Sequence, residues 1–178
     1  MEPMVVLLRF VLACALGLLA ADARADEKSI ELQLPGVSYH FSPPKQEGRS
    51  WTDFHDGLGV QFTTRGENLV VRYTAGFMRD SFDNQGLYAG GSLGLRVLEG
   101  NVEVDLSAAP MLLYRTTRFD DAQGSAPLKL IPVIMPLLSF EHRPSGIGGN
   151  LTVLPGGNFG KDLQFPGLAY LQFTYRIR

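Results

Sequence analysis

The sequence predicts an all-β fold, an eight-stranded antiparallel up-and-down transmembrane β-barrel. Three observations predict it. Apolar and polar residues alternate with period two along most of the chain. The turn signals between these stretches set up short and long connections by turns. The face opposite the apolar one carries charge in nearly every stretch, behind an export signal. A soluble sandwich or lipocalin would bury the apolar face, whereas a membrane barrel turns it to lipid.

Residues 1–25 read as a secretory signal peptide. MEPMVVLLRFVLACALGLLAADARA carries Arg9, an apolar run from Val11 to Ala21, and a small-x-small ending at Ala23-Arg24-Ala25, with cleavage expected after Ala25. VLAC loosely fits a lipoprotein cleavage box at Cys14, but the apolar run continues past it to the better site. Cys14 is the chain's single cysteine, so residues 26–178 form one disulfide-free domain. The leader removes Arg9 and Arg24 from the 16 Lys and Arg, and Glu2 and Asp22 from the 18 Asp and Glu. The remainder keeps the net charge at −2, which excludes a nucleic-acid surface.

Eight segments follow: 34–42, 54–64, 68–78, 87–98, 102–114, 128–140, 149–154 and 167–177. Between them lie Pro43-Pro44 with Gly48, Arg65-Gly66-Glu67, Asp83-Asn84-Gln85-Gly86, Glu99-Gly100-Asn101, Asp120-Asp121 with Gly124, Pro144 with Gly146, and Gly156-Gly157-Asn158. Connections are short after the second and fourth segments and long after the first, third, fifth and seventh. The one after the sixth is longer than this rule expects. The third segment sets Leu69, Val71, Tyr73, Ala75 and Phe77 against Val70, Arg72, Thr74, Gly76 and Met78. The fifth sets Val102, Val104 and Leu106 against Glu103, Asp105 and Ser107. The eighth sets Leu171, Phe173, Tyr175 and Ile177 against Gln172, Thr174 and Arg176.

With the N-terminus at the periplasmic side, the inward charges Arg72, Arg96, Glu103, Asp105 and Arg176 fall in the periplasmic half, where they can pair across the lumen. The outer half is lined by Gly57, Gly59, Gly76, Met78, Gly90, Ser92, Ala109 and Met111. These small or flexible residues, with the wholly apolar sixth segment, leave space for an acyl chain unless large side chains from elsewhere fill it. Pro132 and Pro136 inside the sixth segment and Pro155 at the end of the seventh cannot donate to a ladder. They mark either bulges or a weakened wall that admits lipid sideways.

Strand parity and direction bring His40 and Asp80-Ser81 to the same external rim. A serine hydroxyl needs a base to take its proton, and an acid can orient that base. His55 is a rival base on the same rim. Ser139, Glu141, His142 and Ser145 in SFEHRPSG form a second constellation, which resembles the His and Ser of outer-membrane lipid A 3-O-deacylases. It falls at a periplasmic turn and reads as turn chemistry. No metal spacing, phosphate loop or nucleotide motif occurs, and no cofactor is expected.

ELQLPGVSYHF, GFMRDSFDNQGLYAGGSLG, IPVIMPLLS, and LTVLPGG followed by YLQFTYRI stand in the order and approximate spacing of the outer-membrane lipid A palmitoyltransferases (PagP), which the chain resembles over most of its mature length. The resemblance implies an enzyme that moves palmitate from the sn-1 position of a phospholipid to lipid A. It places the essential residues on His40, Asp80 and Ser81 and the acyl pocket at Gly76, Met78, Gly90, Ser92 and Met111. Lateral lipid entry falls at Pro132, Pro136 and Pro155. Ser92 aligns with the family's glycine at the pocket floor, although a shift of one or two residues would substitute Gly90 or Gly91, and it implies a somewhat shorter acyl chain. Tyr39 stands where the family has tryptophan, Ser42 where it has arginine, and Arg178 where barrels of this kind end in an aromatic residue. The helix ahead of the family's barrel is short or missing. The expected protein is a monomeric acyltransferase of the outer membrane, with phospholipid donor and lipid A acceptor. A non-enzymatic structural or adhesive barrel, a lipid A deacylase and a soluble lipocalin-like binder are the alternatives.

Overall fold

The computed structural model describes residues 27–42, 51–81, 84–116, 128–158, 164–165 and 167–177. The signal peptide, its cleavage site, Cys14 and Arg178 lie outside the described residues. Eight strands alternate direction: β1 (Glu27–His40), β2 (Gly57–Arg65), β3 (Leu69–Arg79), β4 (Gln85–Leu98), β5 (Val102–Thr116), β6 (Leu128–His142), β7 (Ile147–Leu154) and β8 (Leu168–Arg176). Each pairs antiparallel with the next, and β8 pairs with β1 from Glu31↔Arg176 to His40↔Leu168, closing the barrel. Phe54–His55 adds a two-residue strip beside Gly36 and Val37 of β1.

Residues 66–68, 99–101 and 143–146 make tight turns at one end. The connection after β6 is therefore short, because β6 runs to His142 and β7 begins at Ile147. Gly146 makes this turn possible: its φ of 70° lies in the left-handed region, and its amide donates to His142 O at 2.8 Å. The sequence also placed the start of the first strand too late. Ser29, Glu31 and Gln33 are inward residues of β1 and are buried, so period two already begins at Glu27.

Burial runs opposite to that of a water-soluble protein. Phe62, Phe77, Leu95, Leu106, Leu130, Ile134 and Phe173 are exposed on the outer wall, while Arg65, Arg72, Glu103, Asp105, Gln61 and Gln172 are buried inside. Thr64 and Val71 are outward in phase yet buried. An apolar exterior with every strand paired in a ring satisfies the two demands of hydrocarbon, and the fold is a membrane-spanning β-barrel.

Towards the turn end the lumen is plugged by ion pairs. Arg65 reaches Glu103 at 2.8 Å, Glu141 at 2.9 Å and Glu31 at 3.2 Å. Arg72 grips Asp105 with both terminal nitrogens, the first at 2.6 Å. Arg176 approaches Glu141 at 3.3 Å and Arg143 approaches Glu103 at 3.0 Å. Arg65 reads as a turn residue in the sequence because Gly66 follows it, yet it ends β2 and occupies the centre of the plug. A layer of amides and hydroxyls lies above. Asn150 and Gln33 donate to Gln61 Oε1 at 3.0 and 3.2 Å, and the Tyr88 hydroxyl donates to Gln33 at 2.9 Å.

The wall is weakest where the prolines stand. β6 pairs with β5 over its whole length, from Thr116↔Leu128 to Val102↔His142. Its pairing with β7 stops at Leu137↔Thr152. Pro132 and Pro136 therefore lie on a stretch with only one ladder partner, which answers how a closed barrel holds them. Pro155 follows β7 at the same end.

Candidate active site

His40 is the last residue of β1. The chain beyond it is held by Phe41 N donating to Gly167 O at 2.8 Å. Its Nε2 lies 2.8 Å from Ser81 Oγ, so residues 41 positions apart in sequence meet across the loop rim. The imidazole side chain is only 2 % exposed. Trp51 stacks on it, with ring centroids 4.3 Å apart and planes 10° from parallel, and fixes itself by donating Nε1–H to Ser42 O at 2.8 Å. The tryptophan that the sequence lacks at Tyr39 thus reaches the histidine from another segment.

Ser81 is held by its backbone. Its carbonyl accepts Thr52 N at 3.0 Å, and the preceding Asp80 closes the loop by accepting Asn84 N at 2.9 Å. Asp80 is engaged with Asn84 and Arg115. Its other carboxylate oxygen pairs with Arg115 at 2.6 Å, tying the loop after β3 to the end of β5. The carboxylate facing the histidine belongs to Asp53, whose Oδ1 is 3.6 Å from His40 Nδ1. That nitrogen is buried and has no hydrogen-bond partner among the described residues. Asp53 and Trp51 carry no signal in the sequence, because their segment has neither periodicity nor motif.

The loop half of the lumen holds a cavity of about 170 Å³. Met78, Ser92 and Met111 line it as the sequence expects, together with Ala109, Leu113, Met135 and Leu137. Gly76 and Gly90 are not among the lining residues. A Cβ on Gly76 would collide with the Tyr88 hydroxyl and one on Gly90 with Met111, so larger side chains cover both glycines. Tyr88 fills the space that the small residues were expected to leave, and the well is shallower than the glycine count predicts. Ser92 Oγ, 2 % exposed, has no hydrogen-bond partner among the described residues. Asp80 and Ser81 line the cavity, whereas His40 stands behind Ser81, outside the lining.

His55 is 3 % exposed and engaged through both nitrogens, with Ser38 Oγ at 2.7 Å and Arg79 O at 2.9 Å. It is not in reach of Ser81 as a hydrogen-bond partner in this arrangement. The second constellation disperses. Ser139 donates to Asn150 at 2.8 Å inside the lumen, Glu141 joins the plug, and exposed His142 bonds Ser145 at 2.8 Å within the turn. These residues lie at the end opposite the cavity and make turn and plug contacts. Among the described residues, no three His, Cys, Asp or Glu side chains gather as a metal site.

No protein-family model matches the chain, and no curated protein matches it. Among solved structures, the backbone structure of the Yersinia pestis outer membrane protein Ail in a phospholipid bilayer nanodisc is similar with a TM-score of 0.45 and 15 % identity. The alignment covers 85 % of this chain and all of that one. The fold described above rests on strand register and burial, not on that likeness.

Proposed function

We propose that the protein is an acyltransferase of the bacterial outer membrane, similar to the lipid A palmitoyltransferases, that moves a palmitoyl or similar chain from a phospholipid to lipid A. The observation that carries this reading is the His40 Nε2–Ser81 Oγ contact of 2.8 Å, with Ser81 on the edge of an apolar cavity. The cavity takes the acyl chain, and burial there removes hydrocarbon from water or from the headgroup layer. His40 is the general base, acting on the attacking hydroxyl or on Ser81. Ser81 is the nucleophile or a donor to the developing oxyanion. Asp80 serves by holding the Ser81 loop through Arg115 and Asn84, and Asp53 faces the base. The half-paired stretch of β6 at Pro132 and Pro136, with Pro155 nearby, is the side entrance for lipid. The loop end faces outward, where lipid A resides, and the protein works as a monomer without a cofactor.

The test is expression in a strain that lacks its own such enzyme, followed by mass measurement of lipid A. One added acyl chain, absent in His40→Ala and Ser81→Ala, supports the reading. Unchanged lipid A with the barrel inserted would overturn it in favour of a non-enzymatic barrel.

A further inference from the structure

A second serine–histidine pair lies on the same rim and opens on to the cavity more directly than the first. Ser38 and His55 both line the cavity, as His40 does not. Their geometry fixes the proton. Arg79 O can only accept, so the neutral His55 ring carries its hydrogen on Nδ1 and donates it there at 2.9 Å. That leaves the lone pair on Nε2, which accepts the Ser38 hydroxyl at 2.7 Å. Nucleophile, base and orienting group are therefore in hydrogen-bonded series, with a backbone carbonyl in place of the usual carboxylate. At His40 the orienting side is looser, with Asp53 Oδ1 3.6 Å from an Nδ1 that makes no hydrogen bond among the described residues.

The backbone holds the pair rigidly. His55 registers with Gly36, Phe54 with Val37, and Ser38 N donates to Asp53 O at 2.7 Å. Tyr170 is the cross-strand partner of Ser38 and stands edge-on to His55, with ring centroids 5.4 Å apart. Gly36 makes room for it: a Cβ there would come within 2.7 Å of the tyrosine hydroxyl. The phenol hydroxyl thus lies over Gly36, two residues along the strand from Ser38.

We infer that Ser38 is a nucleophile activated by His55, forming an acyl-enzyme with long-chain acyl esters whose chain lies in the lumen cavity. Ser38 Oγ bonds to the ester carbonyl carbon while its proton passes to His55 Nε2. The tetrahedral intermediate then breaks the bond to the alcohol oxygen, which takes that proton as it leaves. In the second half a hydroxyl, from water or an acceptor alcohol, gives its proton to Nε2 and attacks the acyl carbon, and Nε2 then hands that proton to Ser38 Oγ as the acyl–Oγ bond breaks. The inference goes beyond the lipid A reading and shares with it the acyl ester and the cavity that takes its chain.

The mature chain, folded in detergent micelles, is incubated with p-nitrophenyl palmitate or an alkyl fluorophosphonate, digested, and its modified serines identified by mass spectrometry. An adduct on Ser38 is expected, at least tenfold weaker in His55→Gln and unchanged in His142→Ala. Heat-modifiable gel mobility verifies that each variant is folded. No adduct on Ser38, an adduct on Ser81 alone, or full labelling of Ser38 in His55→Gln would overturn the inference. If His55→Gln does not fold, Ser38→Ala decides: an undiminished p-nitrophenol burst in that variant overturns it as well. Labelled Ser38 with unmodified lipid A would sink only the acceptor reading. Acylated lipid A with unlabelled Ser38 would sink only this one.

Discussion

The two halves of the lumen are lined by inward residues of the same strands, yet one is packed with charge and the other is open. In the turn half, Arg65 and Arg72 compensate Glu31, Glu103, Glu141 and Asp105. In the loop half, Met78, Met111, Met135 and Leu137 surround empty space edged by hydroxyls and the His55 imidazole. Buried ions demand near-complete pairing, so the turn half tolerates little change and seals the pore. Flexible thioethers adapt to an irregular guest, so the loop half can change its contents without disturbing the barrel. Charge pairing and open volume are thus divided by depth along one tube.

Substitutions that respect or violate this division test it. The largest effect is expected from His40→Ala, which should lower acyl transfer by about 10²–10⁴-fold, the usual share of a general base. Its unfolding in urea should match the parent's, and a stability loss comparable to that of a plug variant would break the comparison. Arg65→Met should do the reverse. Removing the cation shared by Glu103 and Glu141 and paired with Glu31 should cost about 3–5 kcal/mol of unfolding free energy, followed by urea titration in micelles. Asp80→Asn weakens the tie to Arg115 and loosens the Ser81 loop, so activity should fall roughly tenfold through misplacement of the hydroxyl. Thermal melting should stay near that of the parent. The smallest change belongs to Tyr88→Phe at the border of the halves. It loses the hydroxyl's bonds to Gln33 and Gln172, worth about 1 kcal/mol, without deepening the cavity. A change in acyl-chain length with that variant would show that the hydroxyl, rather than the ring, forms the floor.

Alternation made the strands legible because a residue's face in a barrel follows parity except where a bulge shifts it, as between Gln33 and Gly36, and parity survives errors at the ends. Thus Glu103, Asp105, Gln172 and Thr174 are read correctly as inward although the start of β1 is not. Turn chemistry misled at Arg65, where a glycine neighbour outweighed the strand it terminates. The contact of His40 with Ser81 was legible in part, since direction and parity bring both to one rim. Their partners were not. Trp51 and Asp53 sit in a stretch whose backbone is set by tertiary contacts such as Ser38 N to Asp53 O. The filling of the well by Tyr88 was hidden for another reason. It depends on how far one side chain reaches across the lumen towards Gly59 and Gly76, and no spacing along the chain encodes that distance.

The half-paired stretch of β6 also bears on whether a further strand can add to the barrel. An open strand edge in a bilayer invites another strand to add to it. Thr152 Oγ1 donates to Pro136 O at 2.7 Å, so the carbonyl of Pro136 faces β7, and its ring nitrogen faces the same way. Pro132, four residues earlier, repeats that orientation. Both missing donors therefore lie along the unpaired edge. The prolines leave fewer amide hydrogens to be satisfied in hydrocarbon and give an incoming strand too few to zip on to. The opening in the wall is insulated against polymerisation by the same residues that create it.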